Sequence, residues 1–432
     1  MKRVHLALLG GGMFGGDVVL RSIEDLERCG LTPYLGRIGL DHRAREMASL
    51  EFKLVAVGTR TAATAERLCQ EYTARVPGAE PHAYHGDTPW VDMFNEHSID
   101  LLLVATPDSL HHAPSLYALD HGAHVMVEKP LTLHLDEADD LLRRSREKNL
   151  VVGVDMHKRY DPCHRFIFEE LLEDLGAPIY GRAVLEEPLE VSTEIFNWAA
   201  SSNPFSYVGV HWVDLMGHYL SVKPASLHAV GQKKLLAHWD REGGSRSIDT
   251  FDAMQVGVDY DSGLRIDYVN NWVNPKEFEG AVNQEMELVG TRGKVEFDQQ
   301  DRGLRATLTG IGSKTFNPHF TRDIPRVGPL QESDSATFVG YGKDSIIVIV
   351  ERSMEVLLGL ATREELVGTY PDIESSRPTV AIIEAAAEVA RRNHQALAAG
   401  KGTPVTAHFS SAGIEIVDPM GGNSVLYSGN PL

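Results

Sequence analysis

The sequence predicts an α/β protein of two domains: a doubly wound parallel sheet, followed by an α/β domain with a large open, mostly antiparallel sheet. Up to about residue 155, short apolar runs alternate with charged segments of helical period, which is typical of parallel βαβ units. From about residue 180, apolar and polar residues alternate with a period of two, which indicates antiparallel strands with one covered face. With 432 residues, 43% of them hydrophobic, the chain can form two cores.

The first domain is predicted to span residues 1–155. Its expected strands are the apolar runs 4–10, 52–58, 100–106, 123–129 and 150–156. Segment 133–149 predicts a covering helix, because its leucines form one apolar stripe.

The second domain is predicted to span residues 156–432. Its expected strands are the alternating runs 227–239, 252–260, 263–272, 283–291 and 293–298. Segments 338–360 and 380–400 have helical periodicity and are expected to pack beside this sheet or back on the first domain. Residues 312–336 carry turn-forming residues without periodicity and predict a long loop. The last 24 residues are expected to form a mobile tail or an oligomer contact.

Charge and cysteine content argue against several classes of partner. The 61 acidic residues outnumber the 41 basic ones, and the net charge of −20 opposes binding to nucleic acid or an anionic membrane. No apolar run approaches the ~18 residues of a membrane span, and the strand-like start leaves no room for a signal peptide. The three cysteines, Cys29, Cys69 and Cys163, lack metal-ligand spacing and suit a reducing compartment. We therefore expect a cytoplasmic protein without a bound metal.

A glycine motif follows the first predicted strand. Gly10, Gly12 and Gly15 form G-x-G-x-x-G, and Met13 and Phe14 lie within it. Such glycines permit a tight turn and allow a pyrophosphate to approach the amides at the start of a helix. Because the motif lies between a strand and a helical segment, it predicts a Rossmann dinucleotide-binding domain in which these five residues contact the coenzyme.

The residue that contacts the adenosine ribose has two candidates in the sequence. An acid is expected about 20 residues after the glycines, and Asp41 lies near that distance. Thr59 and Arg60 follow the stronger strand 52–58, and we prefer them, which makes residues 31–51 an insertion. Since a hydroxyl and a guanidinium could accept a 2′-phosphate, NADP stays open as an alternative to NAD.

Two short motifs lie between residues 105 and 133. The first is Thr106-Pro107, followed after three residues by His111; the second is Glu128-Lys129-Pro130. Together they resemble the T-P-x-x-x-H segment and the E-K-P signature of the Gfo/Idh/MocA oxidoreductases. By this resemblance, Thr106, Pro107, His111 and Glu128 are expected at the coenzyme.

The resemblance extends over about residues 1–300. Segments 153–162 and 285–297 are similar to the family's Arg-aromatic-Pro segment and to a strand pair of its second domain. The likeness implies a Rossmann domain that binds NAD, a second domain whose open sheet faces the nicotinamide, and a homodimer or homotetramer.

By the same resemblance, Lys129 is the catalytic lysine, and it also lies at the coenzyme. A charged Lys at the end of a parallel strand can stabilise the alkoxide that forms as hydride leaves a substrate carbon. Glu128 would position neighbouring groups or the ribose.

Residues 205–220 contain further candidate catalytic residues. The family usually has Asp-x-x-x-His here; in this chain His211 is kept and Tyr207 replaces the Asp. A spacing of four on a helix places both side chains on one face, and His211 is expected to exchange the hydroxyl proton. Tyrosine can donate a hydrogen bond, or act as a base if a nearby Lys and NAD⁺ lower its pKa. Asp214 could orient the imidazole of His211, and we prefer a structural role for it.

Four further residues are candidates for binding the substrate. Lys158 and Arg159 lie on a segment that borders the cleft in the resembled family, and with Lys233-Lys234 they would favour an anionic sugar. The alternative is that the lysines are solvated and Arg159 faces the coenzyme. Trp272 and Asn270 alternate on one strand face and predict a sugar-stacking wall, with core packing of Trp272 as the alternative.

These residues favour a sugar or polyol dehydrogenase, in which Lys129 and His211 handle the hydroxyl proton while hydride passes to the nicotinamide. The alternative is a redox-neutral, NAD-dependent glycoside hydrolase that oxidises, eliminates, adds water and reduces, acting for example on a sulfosugar glycoside. Some relatives in the resembled family work this way with a tyrosine near the histidine, so Tyr207 is the feature that supports this alternative. A non-catalytic sensor is a third hypothesis, and the intact Lys129 and His211 argue against it.

Overall fold

The computed structural model describes residues 1–241, 244–245, 247–278, 280–298, 304–310, 312–325 and 336–432. The chain forms two compact units. The first unit comprises Met1–Thr132, Glu137–Pro162 and His319–Ser376, and the second comprises Leu133–Asp136, Cys163–Pro318 and Arg377–Leu432. The main difference from the predicted division at residue 155 is that His319–Ser376 belongs to the first unit.

A six-stranded parallel sheet forms the centre of the first unit. Its strands are β1 (Lys2–Leu9), β2 (Leu50–Thr59), β3 (His82–His85), β4 (Leu101–Val104), β5 (His124–Val127) and β6 (Val152–Val154). The order β3-β2-β1-β4-β5-β6 is that of the dinucleotide-binding Rossmann fold, as the sequence predicts. All of β4 and β5 is buried, because helices cover both faces of such a sheet.

Twelve α-helices are present in the described ranges of the chain. They are α1 (Arg21–Cys29), α2 (Thr32–Leu35), α3 (Ala44–Met47), α4 (Ala62–Arg75), α5 (Pro89–Glu96), α6 (His112–Asp120), α7 (Leu135–Lys148), α8 (Pro162–Arg165), α9 (Leu172–Leu175), α10 (Val210–Leu220), α11 (Tyr341–Leu357) and α12 (Ile373–Ala398). Among the residues that the structure describes, none of the helices combines the length and apolarity needed to cross a membrane.

Helix α11 explains why His319–Ser376 joins the first unit. Residues 341–355 of this helix are buried on all sides, and its apolar side chains share one hydrophobic core with β1 and α1. The side chain of Ile349 packs so closely on Gly153 of β6 that a Cβ there would come within 2.5 Å of it. The packing of this helix into the core of the first unit is therefore the reason why the segment belongs there.

The second unit is built on a nine-stranded sheet. The remaining strands of the chain are β7 (Pro178–Pro188), β8 (Pro224–Gln232), β9 (Asp240–Arg241), β10 (Gly244–Ser245), β11 (Ala253–Tyr260), β12 (Arg265–Asn274), β13 (Asn283–Gly290), β14 (Gly293–Asp298), β15 (Arg305–Leu308), β16 (Gly312–Thr315), β17 (Arg322–Pro325), β18 (Ala336–Val339), β19 (Thr406–Ser410), β20 (Gly413–Val417) and β21 (Ser424–Ser428). The sheet has the order β14-β13-β7-β12-β11-β8-β19-β20-β21. The predicted large, mostly antiparallel sheet is therefore confirmed.

Three segments differ from the sequence-based expectations. Strand β7, which the sequence analysis did not identify, lies inside the sheet and pairs in parallel with β12. The predicted loop 312–336 contains β16 and β17 where it is described, and residues 326–335 lie outside the described part. The expected C-terminal tail forms β20 and β21 at the edge of the sheet.

Candidate active site

The glycine loop connects β1 to a π-helical turn, Gly15–Leu20, that continues into α1. Gly10 has a φ of +109°, and a Cβ at this position would overlap the carbonyl oxygen of Ala105. A Cβ on Gly15 would lie 2.6 Å from the Gly10 carbonyl oxygen, whereas Gly12 has no atom within 4 Å of that position. Gly10 and Gly15 therefore close the turn, and Gly12 keeps the amide surface open, which is the division of roles that a pyrophosphate site needs.

The two apolar residues inside the motif have different surroundings. Met13 is 57% exposed, and with Gly11, Gly12 and Gly16 it lines a cavity of ≈ 240 Å³ beside the loop. Phe14 stacks on the imidazole of His157, with 5.5 Å between the ring centroids. Met13 is thus available to a ligand, whereas Phe14 braces the loop against His157.

The end of β2 carries the ribose candidates that the sequence analysis preferred. Thr59 is buried and its hydroxyl donates to the Thr61 carbonyl oxygen at 2.7 Å, while Arg60 is exposed. The Thr61 hydroxyl in turn caps α4 by accepting from the Thr64 amide at 3.4 Å. Asp41 lies in a short 3₁₀ turn between α2 and α3, outside the sheet. The position after the second strand therefore holds a hydroxyl and a guanidinium.

The loop after β4 contains Thr106, Pro107 and His111. The imidazole of His111 is buried, with Nδ1 2.7 Å from the carbonyl oxygen of Pro130 and Nε2 3.0 Å from that of Thr106. Burial lowers the pKa of His111 to about 4, so the ring is neutral and donates to only one carbonyl at a time. Because both nitrogens face the backbone, His111 positions the loops after β4 and β5.

Glu128 and Lys129 follow directly after β5, and both are buried. The Glu128 amide donates to the Val104 carbonyl oxygen at 2.9 Å, and the Lys129–Pro130 peptide bond is cis. Lys129 is 6% exposed and interacts electrostatically with Glu128. The strand end thus holds an ammonium and a carboxyl group together in a site with little water.

A second carboxyl group lies beside this pair. Asp155 follows β6, the neighbour of β5, and its amide donates to the Val127 carbonyl oxygen at 2.8 Å. Burial, together with the charge of Asp155, raises the pKa of Glu128 well above its ordinary value. Burial alone would raise the pKa of Asp155 as well, but His157, whose Nδ1 lies 3.6 Å from Asp155 Oδ2, lowers it. The same surroundings therefore shift the pKa values of the two acids in opposite directions, upwards for Glu128 and downwards for Asp155.

Lys158 and Arg159 are buried side chains of the first unit. Lys158 Nζ lies 3.3 Å from the hydroxyl of Tyr341, and Arg159 donates to the hydroxyl of Ser375 at 3.3 Å. The alternative that Lys158 is solvated is therefore wrong. Lys233, in the second unit, pairs with Asp249 at 2.6 Å.

The segment that carries Tyr207 and His211 is less regular than the sequence predicts. Residues Phe205–Gly209 form a π-helical turn, and α10 begins at Val210. The turn packs tightly, since a Cβ on Gly209 would lie 2.5 Å from the Phe205 ring and 2.7 Å from Asn270 Oδ1. The expected i, i+4 geometry of a regular helix therefore does not apply to Tyr207, and π-helical turns of this kind are frequent at functional sites. His211 and Asp214 are buried on α10.

Tyr207 packs among aromatic rings. Its ring centroid lies 4.9 Å from that of Phe196, 5.4 Å from that of Trp198 and 6.0 Å from that of Trp272. Tyr207 and Trp198 are half-buried. Trp198 was missed in the sequence analysis, although the segment Phe196-Asn197-Trp198 carries two aromatic residues just before this turn.

The prediction that Trp272 and Asn270 form a sugar-stacking wall is wrong. Both residues have 0% exposure. The Trp272 indole donates to Glu187 Oε2 at 2.8 Å, and the Asn270 amide donates to the Leu185 carbonyl oxygen at 2.9 Å. Their shared face of β12 is the buried one, so core packing, the stated alternative, describes Trp272.

The chain matches two family models. Residues 5–156 match the model described as an oxidoreductase family with an NAD-binding Rossmann fold, and residues 172–296 match the Gfo/Idh/MocA C-terminal domain. The chain therefore belongs to the Gfo/Idh/MocA oxidoreductase family. It is an oxidoreductase with an NAD-binding Rossmann domain.

Individual relatives agree with this assignment. The chain is 22% identical over 343 residues to scyllo-inositol 2-dehydrogenase (NAD(+)) of Bacillus subtilis, covering 78% of this chain and 94% of the relative. It is 28% identical over 133 residues to UDP-N-acetylglucosamine 3-dehydrogenase of Acidithiobacillus ferrooxidans, covering 31% of this chain and 40% of the relative.

A solved structure has the same fold. The myo-inositol 2-dehydrogenase of Lactobacillus plantarum superposes with a TM-score of 0.62 at 17% identity, covering 90% of this chain and 98% of that one.

Proposed function

We propose that this protein is an NAD-dependent sugar or polyol dehydrogenase that oxidises a ring hydroxyl. The observation that carries the proposal is the buried Lys129, which follows β5 beside the buried Glu128 within the E-K-P motif. Two relatives, the inositol and the UDP-N-acetylglucosamine dehydrogenases, are named for the oxidation of ring hydroxyls, which supports the same reaction class.

In the proposed reaction, Lys129 and His211 divide the handling of the hydroxyl group. The coenzyme, when bound, supplies the hydride acceptor. The Lys129 ammonium hydrogen-bonds the substrate oxygen and stabilises negative charge as it develops there. The His211 imidazole accepts the hydroxyl proton. Burial raises the pKa of Glu128 and so favours its neutral form, which leaves the positive charge of Lys129 available to the substrate oxygen.

Residues of the first unit bear on the choice between NAD and NADP. Gly12 leaves the amide surface open for the pyrophosphate, and the end of β2, where an acid would select NAD, holds Thr59 followed by Arg60. We therefore expect the enzyme to accept NADP as well as NAD.

The glycoside hydrolase alternative is supported by Tyr207 in place of the family's usual Asp. It requires Tyr207 to act as a base. The packing of this ring against Phe196, Trp198 and Trp272 supports instead a wall that contacts the apolar face of a sugar. The dehydrogenase is therefore the function that we favour.

The test is a coenzyme-reduction assay over a panel of inositols, free sugars and aryl glycosides. We expect NADH to accumulate with at least one polyol or sugar and no aglycone to be released from the glycosides. Aglycone release with catalytic NAD⁺ and no accumulated NADH would instead establish the hydrolase.

The substrate and the assembly are further parts of this proposal. Lys158 and Arg159 contact Tyr341 and Ser375. To bind an anionic sugar, the two side chains would have to leave these partners and turn towards the ligand. We expect a cytoplasmic homodimer or homotetramer, which light scattering of the purified chain would measure.

A further inference from the structure

We propose that His82, Glu96 and His97 form a transition-metal site of the kind that binds Zn²⁺. Each of the three residues offers one ligand atom, and these atoms lie within 4.8 Å of one another. All three belong to the first unit.

The topology of the first unit brings these residues together at the edge of the sheet away from the glycine loop. His82 is the first residue of β3, and Glu96 is the last residue of α5, which returns from the carboxyl end of β3. The glycine loop follows the carboxyl end of β1, and β1, β2 and β3 are parallel. The cluster therefore lies at the amino ends of the strands and is separate from the coenzyme loop.

The donor set matches the preferences of zinc. Two imidazoles and one carboxylate are common Zn²⁺ ligands, and water can occupy the fourth position. In a tetrahedral zinc site, ligand atoms lie about 3.3 Å apart, so small side-chain rotations would close the cluster. His82 and Glu96 are exposed and His97 is half-buried, so such rotations meet little resistance.

Contacts within the cluster already bring the ligands near one another before an ion binds. The hydroxyl of Tyr84 lies 2.8 Å from Glu96 Oε2 and 2.8 Å from His97 Nε2. The rings of His82 and His97 meet edge to face, with 4.9 Å between their centroids.

An ion can reach the cluster from solvent. A cavity of ≈ 360 Å³ borders it, and His82, His97 and His5 are among the residues that line this cavity.

The test is zinc binding by the full-length, untagged chain after treatment with a chelator. Isothermal titration should show one Zn²⁺ per chain, and Co²⁺ should give the visible absorption of a tetrahedral site. His82→Ala and His97→Ala should each weaken Zn²⁺ binding at least about tenfold. His42→Ala removes an exposed histidine outside the cluster and should leave the affinity unchanged.

Two further measurements separate ligand loss from misfolding and from the coenzyme site. Glu96→Gln changes one exposed carboxylate with little change of shape, and it should also weaken Zn²⁺ binding while the melting temperature of the metal-free protein is kept. NAD⁺ affinity should be the same with and without Zn²⁺. The proposal is overturned if the wild-type chain binds no Zn²⁺, or if the wild type, His82→Ala and His97→Ala bind it equally well.

Discussion

The reactive groups of the first and second units are held in different ways. In the first unit, Glu128 and Lys129 follow β5, and Asp155 follows β6. Backbone hydrogen bonds from the Glu128 and Asp155 amides to neighbouring strands fix the positions of these strand ends. In the second unit, Tyr207 and His211 lie on a π-helical turn and on the start of α10, where aromatic packing sets the geometry. Residues at strand ends can therefore be recognised from a contiguous sequence motif, whereas the geometry of a packed turn can be read only from the structure.

The largest expected effect is the loss of activity when Lys129, which follows β5, is replaced. Lys129→Ala should lower kcat about 10³-fold, because the developing alkoxide loses its cationic partner. Steady-state kinetics would measure the loss, and fluorescence titration should show that NAD⁺ still binds. Lys148→Ala, which removes an exposed lysine at the end of α7, serves as the control. Activity within tenfold of the wild type would remove Lys129 from the mechanism.

The next effect concerns the coenzyme position after β2. Thr59→Asp should lower kcat/KM with NADP about tenfold or more relative to NAD, because a carboxylate repels the 2′-phosphate. Parallel kinetics with both coenzymes would measure this change in preference. If the ratio of kcat/KM values for NADP and NAD is unchanged, the adenosine ribose is not bound at this strand end.

A smaller effect is expected in the pH dependence of stability. The pKa of Glu128 is raised in the folded chain, so the folded state holds this proton more tightly than the unfolded state does. Its contribution is complete below the ordinary pKa of a glutamate and is lost as the pH rises through the raised value. Glu128→Gln should therefore gain stability relative to the wild type as the pH rises from acid to neutral. Urea unfolding at several pH values would measure this difference, and a constant difference would contradict the raised pKa of Glu128.

The smallest effect is expected in the second unit. Tyr207→Phe keeps the ring contacts with Phe196 and Trp198 and removes only the hydroxyl. Sugar oxidation should therefore change less than about threefold, as expected for the loss of one ordinary hydrogen bond. Initial rates of NADH formation would measure it. A loss of a hundredfold would show that the tyrosine hydroxyl takes part in the chemistry.

Much of the first unit could be predicted from the sequence, because its buried parallel strands are continuous apolar runs. Strand β3 was missed because His82–His85 is short, polar and largely exposed. The return of His319–Ser376 to the first unit had no local signal, since an apolar helix can pack on either sheet.

The candidate site was predicted in part, and the reasons are physical. The glycine loop and the E-K-P motif are contiguous in sequence, so their spacing identifies them. The burial of Trp272 depends on which face of β12 is covered, and alternation alone does not decide this. The cluster of His82, Glu96 and His97 joins a strand to the end of a helix, and its spacing matches no metal-binding motif.

The central claim is that hydride leaves the substrate and stays on the coenzyme. The most direct measurement uses a substrate deuterated at the carbon that is oxidised, with NAD⁺ in excess. We predict one deuterated NADH for each ketone formed. Consumption of the substrate without accumulation of deuterated NADH would contradict the dehydrogenase and favour a redox-neutral reaction.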